Sequence, residues 1–444
     1  MHTQKVHTSG SIDQACSAFL DDIEQWVDDA VDEYGELPAS DVHDQGTYTT
    51  GWEPLLASRG CPKALDLMTT ARGRIQQHFN DSGAWHHGYW KMQEVHHGTE
   101  HFELFLGTLW RVNPNDEETI RQLLDCAEHT GNWSGDVPDW FDWESGLFHS
   151  MYLGAEGPNV ENEAQRNNVP DHFRCVNICL IAHQMTGEQR YLDLAIRHAE
   201  VWADTISIEG KTLPVALTSE GAIYDIENQT HESYRKFAGA AADLDEEIGR
   251  AENFLASGVL DSFLMLWEKT GDDRFRKSVE RILDVLVTQM EDSDAGAASH
   301  IIRKYRRATG SPKYDAAIQE AVGKISPDAF GVIGLEPEVK RHKRDQGIGK
   351  RQDKPDWFED GSPRTCNPIL LSLSAEIEDD ADLAGRAVDL ARAHFLLARQ
   401  VYSHGRRHGC SARSVSAIAR GHGRENNSGM TTAVLQPCME FFLS

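Results

Sequence analysis

The densest chemistry in this sequence lies between Trp85 and Trp110, in WHHGYWKMQEVHHGTEHFELFLGTLW. That stretch holds five histidines, three glutamates and three tryptophans. Imidazoles and carboxylates beside aromatic rings suit a site that stacks a ring-shaped ligand and moves protons. His97 and Glu100 are the candidate catalytic groups here. Trp85, His87, Tyr89 and His101 are candidates for contact with the ligand. Phe102, Phe105, Leu106, Leu109 and Trp110 repeat at helical spacing, so the second half packs as a helix. Its polar start then faces whatever the preceding loop encloses. A helix start with solvated polar residues would account for the same pattern without any chemistry.

A second source of carboxylates is GDVPDWFDWESGLF, which carries Asp136, Asp139, Asp142 and Glu144 among Trp140, Phe141 and Trp143. Glycoside hydrolysis uses two carboxyl groups, one to protonate the leaving oxygen and one to activate water or attack carbon. Aromatic neighbours desolvate a carboxyl and raise its pKa, which suits a general acid. Asp142 is therefore a catalytic candidate, and Trp140 and Trp143 are candidate stacking surfaces. Asp171 is the remaining catalytic candidate, at a helix start, with His172 and Arg174 beside it as ligand contacts. After Pro170 it could equally serve as an N-cap. His97 and His101 stand four apart and could share a metal, but no third ligand is evident and HExxH is absent. No metal and no cofactor are expected.

Residues 339–364, VKRHKRDQGIGKRQDKPDWFEDGSPR, form a cationic island in an acidic chain. Lys340, Arg341, Lys343, Arg344, Lys350, Arg351 and Lys354 lie in it. Such a loop could steer an anionic sugar toward Arg174, Arg364 or Arg424. Asn426 and Asn427 could bind hydroxyls or a uronate carboxylate.

These residues must be positioned by helices. Residues 11–34 read as an amphipathic helix with Ser11 as N-cap. Residues 130–170 form a long connection of the kind that usually carries function. A pattern then repeats: an apolar helix, the text T-G-x-x-[RK]-[YF], and a second helix. It occurs at Thr186–Tyr191, Thr270–Phe275 and Thr309–Tyr314. Expected helices flank these turns over 171–185 and on to 204, 251–269 and on to 290, and 297–308 and on to 325. Glycine ends one helix, the polar pair starts the next, and the aromatic staples the two together. Residues 363–375 with 380–401 read as another hairpin, and 427–443 as a last helix. Residues 205–224 could add a small β-hairpin. A single helical hairpin cannot bury its own apolar face, so repetition implies a stacked array.

Helix–TG–[RK][YF]–helix hairpins resemble the six-hairpin glycosidase group, the (α/α)6 toroids. The resemblance lies in architecture rather than in any one family's motif. It implies an all-α toroid of helical hairpins forming one catalytic domain over residues 1–444, with loop insertions at 130–170 and 335–364 over the cleft. It also implies a carbohydrate-active enzyme whose active site lies where the inner helices begin. The polar clusters at 96–100 and 171–174, at Arg364 and Asn367, and at 422–427 fall before such helices, whereas the TG turns are plain. The leading expectation is hydrolysis of glycosidic bonds in acidic, uronate-containing saccharides by carboxylate and histidine acid–base groups. A lyase of the same fold would use Tyr89 or a histidine for β-elimination. A sugar epimerase would interconvert a free sugar without cleaving polymer. A non-catalytic helical-repeat scaffold would bind protein on its concave surface, a role that the His, Asp, Arg and Asn at the helix starts speak against.

The 444-residue length allows one large toroid or two to three ordinary domains. The formal net charge of −28 argues against nucleic acid as a partner. No apolar run is long enough for a membrane span. The N-terminus lacks an apolar signal core and none of the eight cysteines forms CxxC, so reduced thiols and a cytoplasmic location are expected.

Overall fold

A computed structural model of the chain describes residues 3–6, 10–39, 45–86, 89–90, 93–154, 157, 160, 163–224, 244, 246–290, 298–326, 331–333 and 366–401. Those residues are predominantly helical, with only short two-stranded ladders between the helices. They group into two compact units. One draws on Met1–Leu37, Gly51–Leu67 and Leu283–Ser444, the other on Pro38–Thr50 and Met68–Ile282.

In the first unit the helix Ile12–Tyr34 starts at Ser11, whose hydroxyl accepts the Gln14 N–H at 3.3 Å. Its buried stripe of Phe19, Ile23 and Val27 lies against the helix Ala381–Val401, where Phe395 meets Phe19 and Trp26. That helix is the second arm of a hairpin begun by Pro368–Glu378. The hairpin Ser299–Thr309 and Asp315–Lys324 packs beside it. Strand Thr3–Lys5 pairs antiparallel with Gly331–Ile333.

The second unit is built around the helix Phe173–Thr186. Its faces contact the helices Glu117–Thr130, Gln189–Ile206, Val259–Thr270 and Val95–Glu100. FRCVNICLIAHQMT explains that place. The chain is apolar nearly all round, which suits a helix enclosed on every side.

All three TG turns are made the same way. Gly187, Gly271 and Gly310 adopt left-handed φ of 73°, 71° and 67°, which a β-carbon would oppose. The preceding threonine hydroxyl donates back to the carbonyl four residues earlier, at 2.8, 2.7 and 2.7 Å. The same oxygen accepts the N–H two residues on, each at 3.1 Å. One hydroxyl thus adds a second bond to a carbonyl of the first helix's last turns and covers an orphan N–H of the turn. The aromatic residues Tyr191, Phe275 and Tyr314 are buried.

Two expected helices are interrupted. The stretch 251–269 is not one helix: Glu247–Ala256 and Val259–Thr270 are separated at Ser257-Gly258, where Gly258 takes φ 72°. The helix following the histidine-rich loop is α-helical over Val95–Glu100, π-helical over His101–Leu106 and α-helical again over Gly107–Val112. Segment 205–224 makes the expected small hairpin only in its most reduced form: the chain turns back over 218–222, Leu217 bridges Ile223 antiparallel, and Leu217 also bridges Asn168. The expected last helix, 427–443, lies outside the described residues.

Candidate active site

The site begins at the Glu94–Val95 helix start. The Glu94 carboxylate accepts the His97 N–H at 3.3 Å and also pairs with the His97 ring. His97 is thereby held at the surface, with 42% of its side chain exposed. His96 lies about 100° further round the helix and is buried. Its Nε2 lies 3.1 Å from Glu100 Oε1, and its Nδ1 lies 3.2 Å from Asp171 Oδ2. The histidine that joins Glu100 and Asp171 is therefore His96, in place of the expected His97.

Asp171 sits in the short 3-10 turn Pro170–His172. Its carboxylate does not serve as a cap; it is bonded across to other elements. Oδ1 accepts the Ser257 hydroxyl at 2.7 Å and lies 3.8 Å from Arg174 Nε. Arg174 Nη1 donates to Glu103 Oε2 at 3.1 Å. Asn177 Nδ2 donates to Glu103 Oε1 at 2.6 Å, and the Ser262 hydroxyl donates to Asn177 Oδ1 at 2.5 Å. Three carboxylates, one guanidinium and one imidazole thus form a continuous network.

The interruptions in the helices serve this network. Ser257 reaches Asp171 because the chain breaks there. A β-carbon on Gly258 would lie 2.9 Å from Asn177 Nδ2, so glycine is required both by the left-handed backbone and by the close approach. Glu103 lies in the π-helical segment, and such segments recur at functional sites.

Burial and mutual charge set the protonation states. Burial and the Arg174 charge oppose the His96 imidazolium, but the Asp171 and Glu100 carboxylates outweigh them, so its pKa lies above the ordinary histidine value. Burial pushes Asp171 upward, yet His96, Arg174 and the Ser257 hydroxyl hold it below the usual carboxylate range. For Glu103 burial wins. Arg174 and Asn177 pull it down, the Asp171 and Glu100 charges push it back, and its pKa is raised. Two carboxyls joined by one arginine are therefore driven in opposite directions, the pattern of an acid beside a base.

The remaining expected ligand contacts have different surroundings. Arg174 is buried on Glu103 and Asp171, so it holds the carboxylates and leaves no open face for a uronate. The His172 ring accepts the Val169 N–H at Nδ1 (3.0 Å) and donates from Nε2 to the Ser150 carbonyl (3.0 Å), which makes it a pin for the 150–169 loop. The Trp140 indole is buried, with Nε1 donating to the Gly154 carbonyl at 3.0 Å, so neither face can stack a sugar. The Ser145 hydroxyl, and then the Glu144 and Ser145 N–H groups of the same turn, bond to the Asp142 carboxylate and hold its pKa down. That arrangement serves a tight turn rather than the acid or base of the cluster. Trp143, 43% exposed, stands on that turn against Phe141 and Trp133. Trp85 packs on Phe79, His101 and Phe102. His101 is enclosed by Trp85, Phe102 and Phe105, and burial lowers its pKa to about 3. It is a neutral core histidine. His87, the Tyr89 side chain, Arg364, Arg424, Asn426, Asn427 and the cationic segment 339–364 lie outside the described residues.

His96, Glu103, Asn177, Ser257 and Ser262 were not among the expected site residues. Among the described residues no group of three or more histidine, cysteine, aspartate or glutamate side chains is arranged to hold a metal ion, and no helix is long and apolar enough to cross a membrane.

No protein-family model matches the sequence, and no curated protein matches it. Among solved structures, the chain is similar to an unsaturated glucuronyl hydrolase from Streptococcus agalactiae. Identity is 9% and the TM-score 0.49, over 99% of this chain and 94% of that one. It is also similar to an unsaturated glucuronyl hydrolase specific for heparin, at 13% identity and a TM-score of 0.39, over 81% of this chain and 88% of that one.

Proposed function

We propose that this protein is a glycoside hydrolase acting on uronate-containing saccharides, with a single (α/α)6 catalytic domain over residues 1–444. The observation that carries this reading is the buried network of His96, Glu100, Asp171, Arg174 and Glu103. Burying four ionisable groups and most of a fifth together is a poor way to gain stability, since apolar residues of similar volume do as well or better. Carboxyl pKa values displaced in opposite directions, Glu103 upward and Asp171 downward, suit acid–base cleavage of a glycosidic bond. In this reading Asp171 and Glu100 supply the carboxylates that His96 joins. The anionic substrate class draws its support from the sequence of the cationic segment 339–364, with Arg364, and from Arg424, as a source of positive charge for an acidic saccharide.

The test is turnover on a panel of acidic oligosaccharides, read in two channels. Hydrolysis yields new reducing ends with no new near-ultraviolet absorbance. β-Elimination yields both, because the product carries a conjugated double bond. Reducing ends without absorbance support the hydrolase; absorbance rising in step identifies a lyase; silence in both channels across the panel ends the reading.

A further inference from the structure

We propose that Glu103 is the residue that gives the proton to the leaving oxygen, and that Asn177 and Ser262 position it. This deepens the hydrolase reading and rests on it. Within the network Glu103 is the carboxyl at the open edge: 12% of its side chain reaches solvent, against 2% for Asp171 and 2% for Glu100. Of the three carboxyls it is therefore the one placed to reach the leaving oxygen of a bound saccharide. Each Glu103 oxygen is held by one donor from a single neighbouring helix, Oε1 by Asn177 and Oε2 by Arg174. A carboxyl offers about four lone-pair sites, so its orientation is fixed while capacity remains toward the open side.

A simple inter-helix staple would not need the rest of the arrangement. Asn177 is itself aimed by Ser262, and Ser262 lies on a helix that starts only after the break at Gly258. That break places a left-handed residue where an uninterrupted helix would be more stable, and a β-carbon there would push the Asn177 amide off Glu103. The local backbone is thus arranged around the amide that holds Glu103.

In the cleavage step the bond from the anomeric carbon to the leaving oxygen breaks. Its electron pair stays on oxygen, and that oxygen takes the Glu103 proton. Water forms the new bond to the anomeric carbon and releases one proton to the Asp171 carboxylate. Exchange with solvent then returns a proton to Glu103 and restores Asp171. Glu103 must enter the cycle protonated, as its raised pKa favours. Activity therefore falls as pH rises through the Glu103 pKa.

The experiment is the pH profile of kcat/KM for wild type, Glu103→Gln, Asn177→Ala and Ser262→Ala on the saccharide that the panel identifies. Glu103→Gln is expected to lose roughly 10²- to 10⁴-fold in kcat/KM and to lose the alkaline limb. Asn177→Ala removes a donor that favours the charged carboxylate, so its alkaline limb should move to higher pH. Ser262→Ala should move it the same way by less. A limb that stays put in Asn177→Ala, or a Glu103→Gln enzyme at full rate, overturns the proposal. A substrate-free measurement separates the two readings. Difference infrared spectra of folded wild type against Glu103→Gln should show the carbonyl stretch of a protonated carboxyl, titrating above the ordinary glutamate range. If no saccharide is cleaved but this band is present, the hydrolase reading and the donor role fail together, and only the protonated state of Glu103 stands. If the band is missing, Glu103 is not the proton donor whatever the substrate.

Discussion

The two ends of the Phe173–Thr186 helix carry the same kinds of residue in opposite circumstances. At its start Arg174 faces Glu103 and Asp171 with almost no solvent. Just beyond its end Arg190 pairs with Glu128 and Glu188, each at 2.7 Å, with a third of its side chain in water and Trp133 beneath the guanidinium. The pairs at the TG turn are screened and are each worth about 0–1 kcal/mol. The network at the start has lost its water, so each charge there depends on its partners and shifts their protonation. Charge at the turn decorates a joint that Gly187 and Thr186 already make. Charge at the start organises the candidate site.

The sharpest way to break this contrast is Asp171→Asn, which keeps the shape and removes the charge. Loss of a proton-transfer group costs about 10²- to 10⁴-fold in rate, or roughly 3 to 5 kcal/mol of barrier. The variant should keep a near-native helical circular dichroism spectrum and turn over slowly. His96 loses one of the two carboxylates that hold its proton, so its imidazole titration, followed by NMR, should move to lower pH. A full rate with an unmoved His96 would make the start of the helix no different from its end.

The same contrast explains what the sequence made legible. The hairpins were readable because T-G-x-x-[RK]-[YF] is a local device: hydroxyl, left-handed glycine and aromatic act within six residues. Glu100 and Asp171 were readable as carboxylates at helix starts. The choice between His96 and His97 turned on which face of the helix looks inward, and the Glu94 cap decides it. Spacing did hold a signal. His96, Glu100 and Glu103 recur at i, i+4 and i+7, and Asp171, Arg174 and Asn177 at steps of three, each set along one helical face. Ser257 and Ser262 could not be read, because an apolar window from 251 to 269 suggests one helix, and the cause of its break lies across space in Asn177. The surroundings of Trp140 and His172 were hidden for a related reason: each ring is tied to a main-chain carbonyl well away in sequence, Gly154 for Trp140 and Ser150 for His172.

His101 is an intermediate case, an ionisable group buried without charge. Its folded pKa is about 3 against an ordinary value of 6.5, with burial as the cause. Below pH 6.5 the unfolded chain takes a proton that the folded chain refuses, so stability falls with pH from 6.5 down to about 3. At pH 5 the loss is about 2 kcal/mol. His101→Phe, which keeps a ring among Trp85, Phe102 and Phe105, should remove that share. Urea unfolding at pH 7 and pH 5 should therefore show a smaller drop for the variant than for wild type. Equal drops would mean that the ring is protonated in the folded state and belongs with His96 rather than with the core.

The smallest effect tests the other end of the helix. Arg190→Ala removes both exposed ion pairs and the stacking on Trp133 at once. The two pairs contribute about 0–1 kcal/mol each, and an exposed cation–π contact about 0.5–1 kcal/mol. Freed side-chain entropy offsets part of this, so the net loss should be on the order of 1 kcal/mol. The turn itself keeps the Thr186 hydroxyl bonds, the Gly187 backbone and the buried Tyr191 ring. Urea midpoints in low and high salt measure this directly, and the difference between variant and wild type should shrink as salt rises. The rate on substrate should not change. A loss of several kcal/mol, insensitive to salt, would mean that Arg190 works in a desolvated setting like that of Arg174, and the distinction between the two ends would fail.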